Sequence, residues 1–232
     1  MILCLETATD LCSVALCDKN GVISLRESNE SKSHAKLLTV FIEEMLRETG
    51  IGAAGLDAVA VSKGPGSYTG LRIGVSVAKG LAYSVSIPLI ALETPLSMVH
   101  GLLSGIPGQI DKNTLFCPML DARRMEIYYA FYDSEGKTVK DISAEIINED
   151  TFSTIPLSQE IVIFGDGAAK CMNIIKRPNI TFAEDFKISA SHMYKPVMQS
   201  FDNRHFEDVA YFEPLYLKDF ITSQPRKNLF GN

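Results

Sequence analysis

From Lys63 to Gly74 the chain reads Lys-Gly-Pro-Gly-Ser-Tyr-Thr-Gly-Leu-Arg-Ile-Gly, a set of glycines and hydroxyls whose spacing could hold an anion. Glycines 64, 66 and 70 permit positive φ and close backbone approach. Thr69 is placed to cap a following helix, whose first N–H groups point outward. Ser67, Thr69 and Gly70 are therefore the candidate anion-binding residues. The spacing excludes the two commonest loops of this kind. A P-loop needs Gly-Lys-Ser/Thr at its end, whereas Gly70 is followed by Leu71 and Arg72. A dinucleotide fingerprint needs two residues between its second and third glycines, whereas Gly66 and Gly70 enclose Ser67, Tyr68 and Thr69. A turn that packs a helix tightly on a sheet needs the same glycines, and Gly70, Gly74 and Ala78 on one helix face favour that use.

Other chemistry is sparse. The cysteines, at 4, 12, 17, 117 and 171, are odd in number and contain no Cys-x-x-Cys, which predicts reduced, buried thiols and no metal quartet. His34 lies on the apolar face of its helix, where a lone histidine is a packed core residue more often than a catalyst. His100, His192 and His205 form no constellation, and a Gly-x-Ser-x-Gly elbow is absent. No residue is a candidate for catalysis or metal ligation.

Hydrophobic periodicity supplies the positioning elements. Strands are predicted at 2–6, 12–17 and 22–27, with Asn20-Gly21 as a hairpin turn. A helix follows over 33–49, with Leu38, Phe41, Ile42, Met45 and Leu46 at helical spacing and Gly50 as its cap. Leu37 widens this stripe and Val40 adds an apolar residue on the far side, more than one sheet-facing helix needs. Either a loop of the same chain or a partner must cover the surplus. A strand over 56–62 leads through the glycine loop into a helix from Thr69, with Arg72, Ser76, Lys79 and Tyr83 as its polar stripe. A strand at 88–92 and a helix at 94–103, capped by Thr94 with Pro95 behind it, close the first half. After the breaks at 104–108 the order repeats: strands at 115–120, 125–131 and 140–146, a helical piece at 148–155, a strand at 161–164, and a helix opened by Gly165-Asp166-Gly167-Ala168. The prediction is an α/β chain of two similar halves, 1–106 and 107–232, duplicated in architecture rather than in sequence, the second abridged. A last helical segment at 189–206, delayed or kinked by Pro196, could return to the first half.

The net charge of −6 and pI near 5.3 argue against a freestanding nucleic-acid binder. Hydrophobic content of 46% is that of a globular protein, and no apolar run is long enough for a bilayer, so a cytosolic location is expected.

The glycine loop, with Ala78-Lys79-Gly80-Leu81-Ala82, the opening Glu6-Thr7-Ala8-Thr9-Asp10 and His34 at a helix start, resembles the TsaB (YeaZ) family. Members are dimerisation subunits of the bacterial machinery that places threonylcarbamoyl on adenosine 37 of tRNA. The resemblance is dense over about the first hundred residues and implies the duplicated, two-lobed ASKHA (actin/hexokinase/Hsp70-like) fold. In that class the first hairpin of each lobe cradles phosphates, which puts Glu6, Thr7 and Asp10 in one turn and Asp121, Arg123 and Arg124 in the other. Here that would be a vestigial nucleotide site. The family's catalytic relative, TsaD, carries a His-x-x-x-His metal pair where this chain has Thr94 and Met98, which cannot replace two imidazoles.

The resemblance therefore implies a non-catalytic subunit that takes no cofactor alone and binds a TsaD-like paralogue. A TsaE-like ATPase joins the pair, ATP is used by the complex, and tRNA is met only through it. The apolar surplus of the first helix and the second helix supply the expected interface, at Leu37, Val40, Phe41, Arg72, Ser76, Lys79 and Tyr83. The same patch would serve a homodimer, so self-pairing and partner binding are expected to exclude each other. The rival is an enzyme in its own right, a nucleotide-dependent transferase or a metallopeptidase. A Rossmann dehydrogenase fails on glycine spacing.

Overall fold

A computed structural model describes residues 1–30 and 34–217. The first half opens with an antiparallel meander, β1 (Ile2–Glu6), β2 (Cys12–Asp18) and β3 (Gly21–Ser28). Gly21 at φ 143° makes the second turn. Next come α1 (His34–Thr49), β4 (Ala58–Gly64), α2 (Tyr68–Val85), β5 (Leu89–Glu93) and α3 (Thr94–Gly105). The sheet order is β3-β2-β1-β4-β5, with β4 and β5 parallel to β1.

The second half repeats that topology. β6 (Leu115–Asp121), β7 (Glu126–Tyr132) and β8 (Thr138–Ile146) form the meander. β9 (Ile161–Phe164) and β10 (Ile180–Ala183) add in parallel, giving β10-β9-β6-β7-β8. Three sequence expectations need correction here. Residues 148–155 are turns rather than a helix. The helix after Gly167 is one turn long, α4 (Ala168–Cys171). β10 was not anticipated, because its Ile-Thr-Phe-Ala run is too short to show a period.

The elements form where the sequence buries them. Leu38, Ile42 and Met45 of α1 and Val75, Ala78 and Ala82 of α2 pack on one face of the first sheet, against Leu3, Leu5, Val14 and Leu16. The opposite face, through Ile2, Cys4, Ala15 and Cys17, meets Ala190, Met193 and Val197. Those last residues belong to a short 3-10 turn and α5 (Tyr194–Asp202), in which Pro196 occupies the first turn, where no intrahelical N–H is needed. α3 packs through Met98 and Val99 on the second sheet, against Phe116, Leu120 and Phe164. All five cysteines are buried and unpaired. No helix among the described residues is long and apolar enough to cross a membrane.

The chain then returns across the first half. Glu207 N–H donates to the Leu89 carbonyl at 2.8 Å and Leu215 N–H to the Lys63 carbonyl at 2.7 Å. The segment from Glu207 to Tyr216 is thus a strap laid from the β5 edge across the start of α2.

Candidate functional site

The turn after β1 and the start of α2 are built into each other. Ala8 carbonyl accepts from Ser67 N–H at 2.6 Å. A Cβ added at Gly66 would lie 2.3 Å from the Ala8 oxygen, one at Gly70 2.1 Å from the Thr7 oxygen, and one at Gly74 2.3 Å from Thr7 Oγ1. The room left by these glycines is occupied by the chain's own turn. The helix cap is Ser67, whose Oγ accepts from Gly70 N–H at 3.3 Å, and not Thr69, which stands exposed in the first turn. Likewise Glu93, not Thr94, is the N-cap of α3, and Thr94 is buried just inside that helix.

Glu6 lies beneath the turn, fully buried. Its Oε1 accepts from Ala8 N–H at 2.7 Å and from Ser62 Oγ–H at 2.8 Å, while Oε2 meets no protein donor. Burial pushes its carboxyl up to about 7, against the lowering effect of those donors. Thr7 is buried beside it. His34 Nε2–H donates to the Leu11 carbonyl at 3.2 Å and so serves the same turn as a packed residue.

Asp10 is exposed at the tip, facing the second half across a cleft lined by Thr9, Leu11, Met98, Leu120, Asp166 and Lys187. Its volume is ≈ 190 Å³, below the roughly 300 Å³ at which small-molecule sites begin. In the second turn Asp121 takes Lys170 Nζ at 2.5 Å and Arg123 N–H at 2.7 Å. Burial raises the Asp121 carboxyl, but those partners outweigh it and hold it below the ordinary range. Desolvation and the neighbouring Asp121 and Asp10 carboxylates raise Asp166. Two carboxyl groups, Asp10 and Asp166, and one ammonium, Lys187, line this small cleft. Arg123 and Arg124, both at positive φ, shape this turn. Among the described residues no group of three or more His, Cys, Asp or Glu side chains converges as a metal site.

The residues expected at an interface fall on two helices. Leu37 and Phe41 are half-buried against the core, whereas Val40 is 39% exposed on the outer side of α1. On α2, Arg72 and Ser76 are exposed and Tyr83 is 81% exposed. Lys79 is engaged within the chain: its Nζ donates to the strap carbonyls of Ala210 at 3.2 Å and Phe212 at 2.8 Å. Tyr68 packs on Tyr216 at 5.0 Å and accepts from Arg72 at 2.8 Å. No local sequence signal announces the strap, since its anchors join residues far apart in the chain.

The geometry has the form of an ASKHA fold whose first hairpin turn is packed onto the glycine loop. A family model, TsaD: tRNA N6-adenosine threonylcarbamoyltransferase, matches residues 26–220. The TsaB protein of Buchnera aphidicola (subsp. Schizaphis graminum) is 31% identical over 81% of this chain and 87% of its own. The chain belongs to the TsaB/YeaZ family. Another TsaB protein, from Escherichia coli (strain K12), described as a tRNA threonylcarbamoyladenosine biosynthesis protein, is 29% identical over 95% of each chain. YeaZ from Pseudomonas aeruginosa superimposes with a TM-score of 0.77 at 22% identity, over 93% of this chain and 99% of that one, and so shares the TsaB fold.

Proposed function

We propose that this TsaB-family protein is a non-catalytic docking subunit in the synthesis of threonylcarbamoyladenosine in tRNA. In this reading it holds a TsaD-like catalytic paralogue, a TsaE-like ATPase joins them, ATP is used by the assembly, and adenosine 37 is met only there. The relatives' shared name supports the pathway. The observation that supports the non-catalytic part is the close fit of Thr7 and Ala8 against Gly66 and Gly70, which fills the room the glycine loop would otherwise offer an anion. Docking is assigned to the outer surface of α1 and α2, through Val40, Arg72, Ser76 and Tyr83, with cytoplasmic location following from the substrate.

One feature favours an enzyme instead: Glu6, with a carboxyl near 7, lies in the range of a general base. Its complete burial argues against that role. The test is reconstitution from purified paralogue, ATPase and this chain with tRNA, omitting each in turn. Modification should need all three, and the chain alone should bind neither ATP nor zinc. Modification in its absence, or stoichiometric ATP or zinc on the isolated protein, would overturn the reading.

A further inference from the structure

In the first half the meander is followed by α1, which covers one face of its sheet. After β8 the corresponding stretch is turns, and the second sheet keeps a pocket of ≈ 380 Å³ between β6, β7 and β8 and residues 150–155. That lies within the roughly 300–1,000 Å³ of small-molecule sites. Its walls are largely apolar, with Leu115, Phe131, Phe152 and Ile155 among them. Phe152 stands at φ 67°, a left-handed backbone rare for a bulky residue, and its ring lies 5.3 Å from that of Tyr129 and 5.1 Å from that of Phe131.

The strand that closes this pocket is irregular. Ile127 and Tyr129 face Glu145 and Ser143, but Phe131 faces Lys140, because the pairing of β7 with β8 shifts between Tyr129 and Phe131 and again between Phe131 and Tyr132. Val139 and Lys140, consecutive in the chain, both line the pocket, which a regular strand would not allow. Opposed residues share a face, so the inward positions of β8 carry Lys140, Ser143 and Glu145 where a core strand carries apolar side chains. Inward charge also protects an open edge, but that use does not require two charges of opposite sign held on one phenol. Tyr129 is buried, and its hydroxyl donates to Glu145 Oε2 at 2.5 Å and accepts from Lys140 Nζ, which also lies 4.3 Å from the centre of its ring. Burial and then the bond to Glu145 raise the phenol, so at neutral pH it stays a donor.

We propose that this pocket binds a free α-amino acid with a large apolar side chain, its carboxylate on Lys140 Nζ, its ammonium on Glu145 and its side chain against Phe131 and Phe152. One hydroxyl bridges the two protein charges, so they lie no farther apart than two hydrogen bonds, about 5–6 Å, and an α-amino acid carries its own opposite charges on one carbon. Each charge then meets one of the other sign. Lys140 keeps N–H donors beyond the one given to Tyr129, and Glu145 keeps Oε1 as an acceptor. Asp150, exposed at the rim, adds an acceptor for the ammonium. A carboxylate without an amine would face Glu145 and Asp150 uncompensated, and an amine without a carboxylate would face Lys140. The apolar side chain gains by covering the aromatic wall. None of the lining residues belongs to α1 or α2, so the inference goes beyond the docking reading and fails separately from it.

The test titrates the isotope-labelled full chain with L-phenylalanine, phenylpropionate and phenethylamine and follows the amide NMR shifts. L-phenylalanine at millimolar concentration should saturate and move amides of β8 and of residues 150–155, and each single-charge analogue should bind at least about tenfold more weakly. Lys140→Met should weaken L-phenylalanine about tenfold and leave phenethylamine no weaker, whereas Glu145→Gln should weaken L-phenylalanine about tenfold and leave phenylpropionate no weaker. Lys140 is exposed, and a glutamine at 145 still accepts from Tyr129, so both variants should keep a folded melting transition. The absence of a saturable shift with L-phenylalanine would overturn the proposal, as would equal binding of either analogue. Unchanged L-phenylalanine affinity in either variant would overturn it as well. The comparison of ligands is made on the wild type, so it decides even where a variant fails to fold. No arm involves the paralogue, and a failure here leaves the docking reading standing.

Discussion

The carbonyl oxygen of Thr7 stands where a side chain of Gly70 would begin: a Cβ there would lie 2.1 Å from it. This contact joins the first hairpin turn to the start of α2 and makes the glycine loop a packing joint. Gly70→Ala should therefore lower stability by about 1–3 kcal/mol or more through overpacking. Gly80, in the same helix with nothing within 4 Å of its added Cβ, is the control. Gly80→Ala should stabilise by about 0.5–1 kcal/mol. Urea unfolding of the two variants checks both signs.

Glu6 gives a pH dependence. Its carboxyl is raised from 4.5 to about 7 in the folded protein, so between those values the native state binds the extra proton. The stability it supplies is complete below about 4.5 and is lost as pH rises through 7. Glu6→Gln, which keeps a neutral side chain at all pH, should gain on the wild type by up to about 3 kcal/mol between pH 5 and pH 8. Denaturation midpoints of the pair across that window test the sign. A constant difference would show that Glu6 does not titrate there.

Lys79 ties the strap to α2 by two hydrogen bonds to carbonyls. Lys79→Met should loosen it at a cost of about 1–2 kcal/mol. Hydrogen exchange should rise between Glu207 and Tyr216 while the β1 and β4 amides stay protected.

Val40 and Tyr83 are exposed on the outer helix surface, so charges there cost the fold little. Val40→Glu and Tyr83→Asp should each weaken binding to the catalytic paralogue by at least tenfold, with melting temperatures unchanged. Calorimetric titration against the paralogue measures this.

Much of the architecture was legible because its signals are local. Asn20-Gly21, the alternation in β2 and β7, and the 3.6-residue stripe of α1 each fix an element without reference to the rest. The misreadings arose where tertiary packing decides. Ser67 rather than Thr69 caps α2 because Ser67 is also held by Ala8. The stretch at 148–155 has helical composition but turns so that Phe152 can reach Tyr129 and Phe131. In the site, Glu6, Thr7 and Asp10 do share one turn, but nothing in their types says that it would close over the glycines. The polar stripe of α2 was visible, whereas its cover was not: Lys79 meets Ala210 only after the chain has crossed both sheets.

That late closure bears on how the protein is made. Synthesis runs from the amino end, so β4 and α2 leave the ribosome long before Phe212 and Leu215, the residues that pin them. A nascent or prematurely stopped chain has the first sheet without its fastening. α2 reaches its final setting only after Phe212 and Leu215 have been made, so in the proposed docking role a chain stopped before them lacks the finished surface.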